Sequence, residues 1–384
     1  MKPKVLILIN ELLRGGAQGI VLDLCRRIDH DRFELVVATL KPSPAPSFLE
    51  ECRATGVRVE TLDGGRSFSL REARALFALL KRERPDVLHT FLPYAGILGR
   101  IIGRIAGVRS IVSTQCNLPV AYDTRTYWLD RLTLPLACAW IGATESIERS
   151  YGGSYAYFSS DAWERGRRHF SIVSGVDLPT FDARVRAADR TALRAALSVP
   201  EGKDLILMIA RLVSWKGHRD LLSAFARLSG EPHLALAGWG PLEEELKAQA
   251  EREGTLSRVH FLGARSDVPE LLAAADFYAQ THCRAEDGTI WMGPNTSQME
   301  ACAARVPSIS TAVPDIELLI EDGVTGKLAP PNDSGALARA LEHLRMHSDE
   351  ARGFAERARA RVEERYSVAR MAEAHQSLYH VLSI

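Results

Sequence analysis

The chain has 384 residues, 46% hydrophobic and 25% charged, with no net charge; it exceeds the size at which one core keeps growing, which favours two domains and excludes a disordered tail or a small stapled scaffold. Every eighteen-residue window carries a charge, and Cys25, Cys52, Cys116, Cys138, Cys283 and Cys302 form no C-x-x-C pair, which argues against a membrane span, a disulfide framework and a zinc site. The charge is uneven: residues 1–190 hold 27 Lys and Arg against 21 Asp and Glu, an excess that suits an acidic partner or plain solubility.

The start, MKPKVLILINELLRGG, has an apolar run too short to span a bilayer and no small-residue cleavage site. It therefore reads as a first buried strand, and the protein as cytoplasmic. From there short apolar runs alternate with amphipathic stretches: VLILI before AQGIVLDLCRRI, ELVVATL before PSFLEECRATG, VRVETL before SLREARALFALLKRERP, DVLHTFL before GILGRIIGRIAG. That βα alternation predicts a parallel sheet covered by helices on both faces. The first βα loop holds Gly15 and Gly16. Small residues there let backbone amides approach a phosphate or sugar, while a tight turn needing positive φ is the structural alternative. The loop lacks G-x-G-x-x-G, so a nicotinamide enzyme is not supported. The only D-x-D, Asp29-His30-Asp31, precedes the second strand and reads as a turn. His89 ends the fourth strand, where it fits an acceptor site or a satisfied core histidine equally. Arg100, Arg104 and Arg109 punctuate an otherwise apolar helix, a pattern that suits either cations at a buried helix's rim or snorkelling at an anionic membrane face.

The alternation pauses over 171–190, rich in turn residues and charge, and restarts with DLILMIARL, HLALAGWG, RVHFLG, ADFYAQT and VPSIST. Two doubly wound domains follow, with ligands expected outside the carboxyl ends of the strands. The expected division is 1–180, 181–365 and a final helix over 366–384 packing back on the first domain, with Ser367 as its cap. Arg211 and Lys216 sit at the mouth of the second domain's first strand, in an exposed loop ahead of Gly217. A bidentate fork and a point charge in that spacing suit a diphosphate. Gly238 and Gly240 end the next strand in the same anion-friendly way. Further on, Ser297-x-x-Glu300 matches a capping box at a helix start.

The segments ARLVSWKGHRDLLSAFARL, LALAGWGPLEEEL, VHFLGARSDVPELLAAADFYAQT, MEACAARVPSIST and ELLIEDGVTGKLAPPNDSGALARAL follow one another in the order and spacing of the family 4 retaining glycosyltransferases. The chain resembles that family strongly over 204–340 and moderately elsewhere. The resemblance implies a GT-B fold, two Rossmann-like α/β domains facing across a cleft, and a nucleotide-diphosphate sugar, UDP- or GDP-linked, held mainly by the second domain. It implies sugar transfer to a lipid-linked or glycan acceptor in polysaccharide, lipopolysaccharide or glycolipid synthesis, with neither cofactor nor metal and no nucleic acid. Arg211 and Lys216 would bind the diphosphate and offset leaving-group charge. Gly16, Gly238, Gly240, Pro294, Asn295, Thr296 and Ser297 would line the donor pocket, and Glu300 would hold the ribose.

Two departures from the family pattern stand out. Cys116 occupies the place of a frequent histidine, beside Asn117, leaving the acceptor side defined only by His89, Cys116 and Asn117. The family's first glutamate should lie eight positions before Glu300, where Met292 stands. A loop insertion would displace that acid to Glu286, as catalytic carboxylate, or to Asp287. These departures keep a degenerate nucleotide-binding member as an alternative, and a sugar-nucleotide epimerase is the other enzyme the fold allows.

Overall fold

The computed structural model describes residues 2–62, 69–117, 122–153, 156–284 and 293–383. The chain divides into two units, Met1–Ser174 with Val368–Ile384, and Gly175–Ser367.

The first unit carries a seven-stranded sheet. Its strands are β1 (Lys4–Ile9), β2 (Glu34–Thr39), β3 (Arg58–Thr61), β4 (Val87–Phe91), β5 (Ser110–Gln115), β6 (Ala139–Gly142) and β7 (His169–Ser171), in the order β3-β2-β1-β4-β5-β6-β7. All pairings are parallel. Strand β1 is a near-continuous apolar run because helices cover both faces and every residue of Val5–Ile9 is fully buried. One face packs under helices Leu70–Glu83 and Pro93–Ile105. The other receives helix Gly16–Arg27 and the last helix, Val368–Ser383, whose Met371, Leu378 and Tyr379 join a core with Val5, Phe33 and Phe91.

The second unit repeats the plan with β8 (Leu205–Ile209), β9 (His233–Ala237), β10 (Val259–Gly263), β11 (Phe277–Gln280), β12 (Ser308–Thr311) and β13 (Lys327–Ala329), ordered β10-β9-β8-β11-β12-β13 and parallel throughout. The stretch that reads as a turn-rich pause is helical in part. Leu178–Ala187 forms a helix with Pro179 in its first turn, where a missing N–H costs nothing. Arg184 of that helix pairs with Glu270 at 2.7 Å, and Arg359 holds Asp182 at 2.6 Å, so charged residues that suggest a linker are fastened to the unit.

Candidate active site

In the second unit the strand order reverses at β8, whose neighbours are β9 and β11. Loops leaving the carboxyl ends of these strands therefore gather at one crevice. The loop after β8 carries Arg211 and then a 3-10 turn, Ser214–Lys216, closed by Gly217 in the left-handed region at φ 71°. A Cβ on Gly217 would lie 2.2 Å from Thr281 O, so only glycine fits. The segment after β11 is bolted to this loop. Thr281 Oγ1 lies 3.0 Å from Gly217 O, Cys283 N donates to Trp215 O at 3.2 Å, and the Cys283 thiol lies 2.9 Å from Ser214 O.

The two cations of the loop have different surroundings. Arg211 is exposed, its guanidinium 5.8 Å from the Trp215 ring centre. Lys216 is buried at 8% exposure, which corrects the expectation that both stand in an open loop. Its Nζ lies 3.1 Å from His282 Nε2. Burial, with the nearby Arg211 charge, pushes the Lys216 ammonium down to about 8. Burial and Lys216 likewise hold His218 down to about 4 and His282 well below the usual histidine range.

Gly238 and Gly240 have a backbone reason to be glycine. A Cβ on Gly238 would fall 1.9 Å from Ala210 O, and one on Gly240 2.3 Å from Leu212 O. The loop after β9 lies flat against the Arg211 segment, with Leu212 N donating to Trp239 O at 3.0 Å. These glycines support the cation loop from beneath.

Helix Thr296–Ala303 starts at the same crevice. Asn295 is its cap and accepts from Gln298 N at 2.9 Å. The capping box of Ser297 with Glu300 is not formed, because Ser297 is already inside the first turn. Ser297 Oγ instead lies 3.0 Å from Ile209 O and 2.9 Å from Tyr278 Oη, pinning the helix start to the end of β8. Gly293 N donates to Pro314 O at 2.7 Å, which fixes the Pro294 approach. Thr296 and Ser297 occupy the first two helical positions, whose amides a helix cannot pair internally, and Ser297 sits against Ile209, where the cation loop begins. Burial pushes the Glu300 carboxyl up to about 7 against the opposing charge of Arg184. Glu286 and Asp287 lie outside the described residues.

Residues 189–361 match the family described as Glycosyl transferases group 1, and residues 15–156 match Glycosyl transferase 4-like domain. The chain belongs to the family 4 glycosyltransferases. EpsF of Bacillus subtilis is 27% identical to this glycosyltransferase over 333 residues, 85% of this chain and 80% of the relative. The UDP-Gal:alpha-D-GlcNAc-diphosphoundecaprenol alpha-1,3-galactosyltransferase of Escherichia coli is 23% identical over 344 residues, 86% and 84% of the two chains. Among solved structures, Anabaena HepE in complex with UDP covers 99% of both chains with a TM-score of 0.81 at 22% identity, which establishes the GT-B fold.

The glycosyltransferase's first unit departs more from expectation. His89 is fully buried, with Nδ1 2.6 Å from Tyr379 Oη and Nε2 2.7 Å from Thr114 Oγ1, so the core reading holds and an acceptor contact does not fit. Gly15 has φ −173°, and Gly16 is not among the positive-φ glycines, so the tight-turn reading fails. Gly16 is exposed at the start of helix Gly16–Arg27, with open space where a Cβ would go. Cys116 is half-buried against the core, its thiol pushed up to about 12 by desolvation, and Asn117 follows it half-buried. The Asp29-His30-Asp31 segment is a turn: Asp29 Oδ1 accepts from Asp31 N at 2.9 Å.

Helix Pro93–Ile105 does not snorkel. Arg100 is fully buried and bonds Asp130 at 2.6 Å, while Arg104 donates to Leu136 O at 2.8 Å and Arg109 O at 2.7 Å. Arg100 and Arg104 thus turn inward, whereas Arg109, beyond the helix end, is exposed. Among the described residues, no helix is long and apolar enough to cross a membrane.

The sequence reading missed His282 and His218. His282 directly follows the ADFYAQT strand and His218 directly follows Gly217. A histidine at a strand's carboxyl end was the available signal, the same one that pointed, less fruitfully, to His89.

Proposed function

We propose that this glycosyltransferase moves a sugar, with retention of anomeric configuration, from a UDP- or GDP-linked donor to a lipid-linked or glycan acceptor, without a bound metal. The observation that carries the reading is the meeting of Arg211, Lys216 and the Thr296–Ala303 helix start at the ends of β8 and β11. As the bond from the sugar's C1 to the diphosphate oxygen breaks, negative charge gathers on the departing phosphate. Cations and helix amides already aimed there stabilise that charge most in the transition state. In this reading Glu300 accepts from the ribose hydroxyls, and Glu286 or Asp287 approaches the transferred sugar. The Escherichia coli relative, named for a UDP-linked galactose and a diphosphoundecaprenol-linked acceptor, and the UDP complex of HepE favour this pairing of substrates.

The test is transfer of radiolabelled sugar from UDP- and GDP-sugars to a diphosphoundecaprenol-linked monosaccharide, with EDTA present and the product anomer read by NMR. Arg211→Ala and Lys216→Ala should each lower turnover by roughly 10² to 10³. Wild-type rates in both variants would remove the donor assignment, and an inverted product would remove retention.

A further inference from the structure

We propose, building on the donor reading above, that His282 is a positioning residue for Lys216: its neutral imidazole accepts a hydrogen bond from the ammonium and fixes where that charge stands before the diphosphate arrives.

An ammonium only donates, so the 3.1 Å approach of Lys216 Nζ to His282 Nε2 requires a lone pair on Nε2 and the ring proton on Nδ1. The backbone that carries the imidazole is fixed on both sides. His282 N donates to Thr311 Oγ1 at 2.8 Å, and the same hydroxyl donates to His282 O at 2.8 Å. The lysine is held from its own side by Gly217 and the hydroxyl of Thr281, which lies 3.2 Å from Lys216 O. Both partners of the pair are therefore anchored through their backbones to the same crossing of loops.

Fixing one ammonium hydrogen this way orients the group. A flexible lysine would have to be ordered when the donor binds; one already tethered loses less freedom. The charged and titratable groups around the pair reinforce a neutral ring. Arg211 and Lys216 come from the loop after β8, and His218 from the helix His218–Phe225. Burial together with Lys216 and His218 holds the imidazole unprotonated, so it attracts the ammonium through neutral pH.

The experiment has a ligand-free arm and a ligand arm. In the wild-type protein, ¹⁵N NMR of the imidazoles should show His282 with Nε2 unprotonated at pH 7.5, and a protonated Nε2 overturns the proposal. Lysine-selective ¹³C NMR, with the resonance assigned through Lys216→Arg, follows the titration of the ammonium. Losing one hydrogen-bond acceptor should lower that titration by about one pH unit in His282→Leu, whereas His282→Asn, which keeps an acceptor, should stay close to wild type. Affinity for UDP at pH 7.5 should fall roughly tenfold in His282→Leu and much less in His282→Asn. An unmoved lysine titration in a folded His282→Leu overturns the inference. UDP affinity unchanged in Lys216→Ala overturns the donor reading instead, and the two NMR results then judge the hydrogen bond alone.

Discussion

Glu300 and Lys216 face donor binding with opposite proton demands. A carboxylate that accepts from ribose must be ionised, and with burial pushing Glu300 up to about 7 it gains that form as pH rises through neutrality. Lys216 must stay protonated and loses its proton above about 8. UDP affinity should therefore peak between pH 7 and 8, falling by up to tenfold per unit outside that window. Calorimetric titration from pH 5.5 to 9.5 checks this, and Glu300→Gln should flatten the acid limb alone. Stability has its own sign. A raised carboxyl favours the folded state fully below its ordinary range, and that contribution is lost as pH rises through about 7. Glu300→Gln should thus melt above wild type at pH 8 without donor, and the gain should vanish near pH 4.5. Lys216 behaves in the converse way. Its depressed value means that burying the charge costs stability in full below about 8, and the cost fades toward the ordinary lysine range. Lys216→Met should raise folding stability at pH 7 by up to about 3 kcal/mol, read by chemical denaturation, and lose that advantage above pH 10.

At the scale of elements, the backbone around the cation loop leaves little room for change. Gly217→Ala puts a methyl group into Thr281 O at a left-handed position, so a loss of 2 kcal/mol or more is expected, together with loss of UDP binding as the loop lifts off the β11 segment. Chemical denaturation and calorimetry on one sample measure both. Asn295→Ala removes the helix cap and should cost about 1 kcal/mol. Strands such as β1, β2 and β8 were legible in sequence because both sheets are parallel and these strands are almost wholly buried, so they show as apolar runs, whereas the short β7 (HFS) does not. The Leu178–Ala187 helix was not, since its exposed face is rich in the turn-like, charged residues that also mark linkers; Arg184 and Asp182 reveal their role only through partners far along the chain. Arg211 and Lys216 could be located by their strand-end position. Their difference in burial could not, because the loop that covers Lys216 comes from residues 281–283.

For the whole molecule, the arginine pattern of residues 96–109 illustrates how periodicity alone leaves two readings open. An apolar helix with spaced cations looks the same whether the cations reach for lipid or for a buried acid, and for Arg100 it is Asp130, thirty positions away, that decides. Arg100→Gln should therefore leave liposome flotation unchanged and instead destabilise the first unit by about 3 to 5 kcal/mol, the cost of stranding one member of a buried pair. Thermal melts and flotation with anionic vesicles, run in parallel, separate the two outcomes.

The first unit is assembled from both ends of the chain, and that arrangement bears on the order of events at the ribosome. Residues 175–367 emerge as one uninterrupted run and hold their own sheet, whereas the sheet begun at Lys4 waits for Val368–Ser383 before one face is fully covered and Tyr379 can meet His89. Until Val368–Ser383 leaves the exit tunnel, Phe33 and Phe91 lack the part of their cover that Met371, Leu378 and Tyr379 supply. The first unit can complete its packing only after the second has been made.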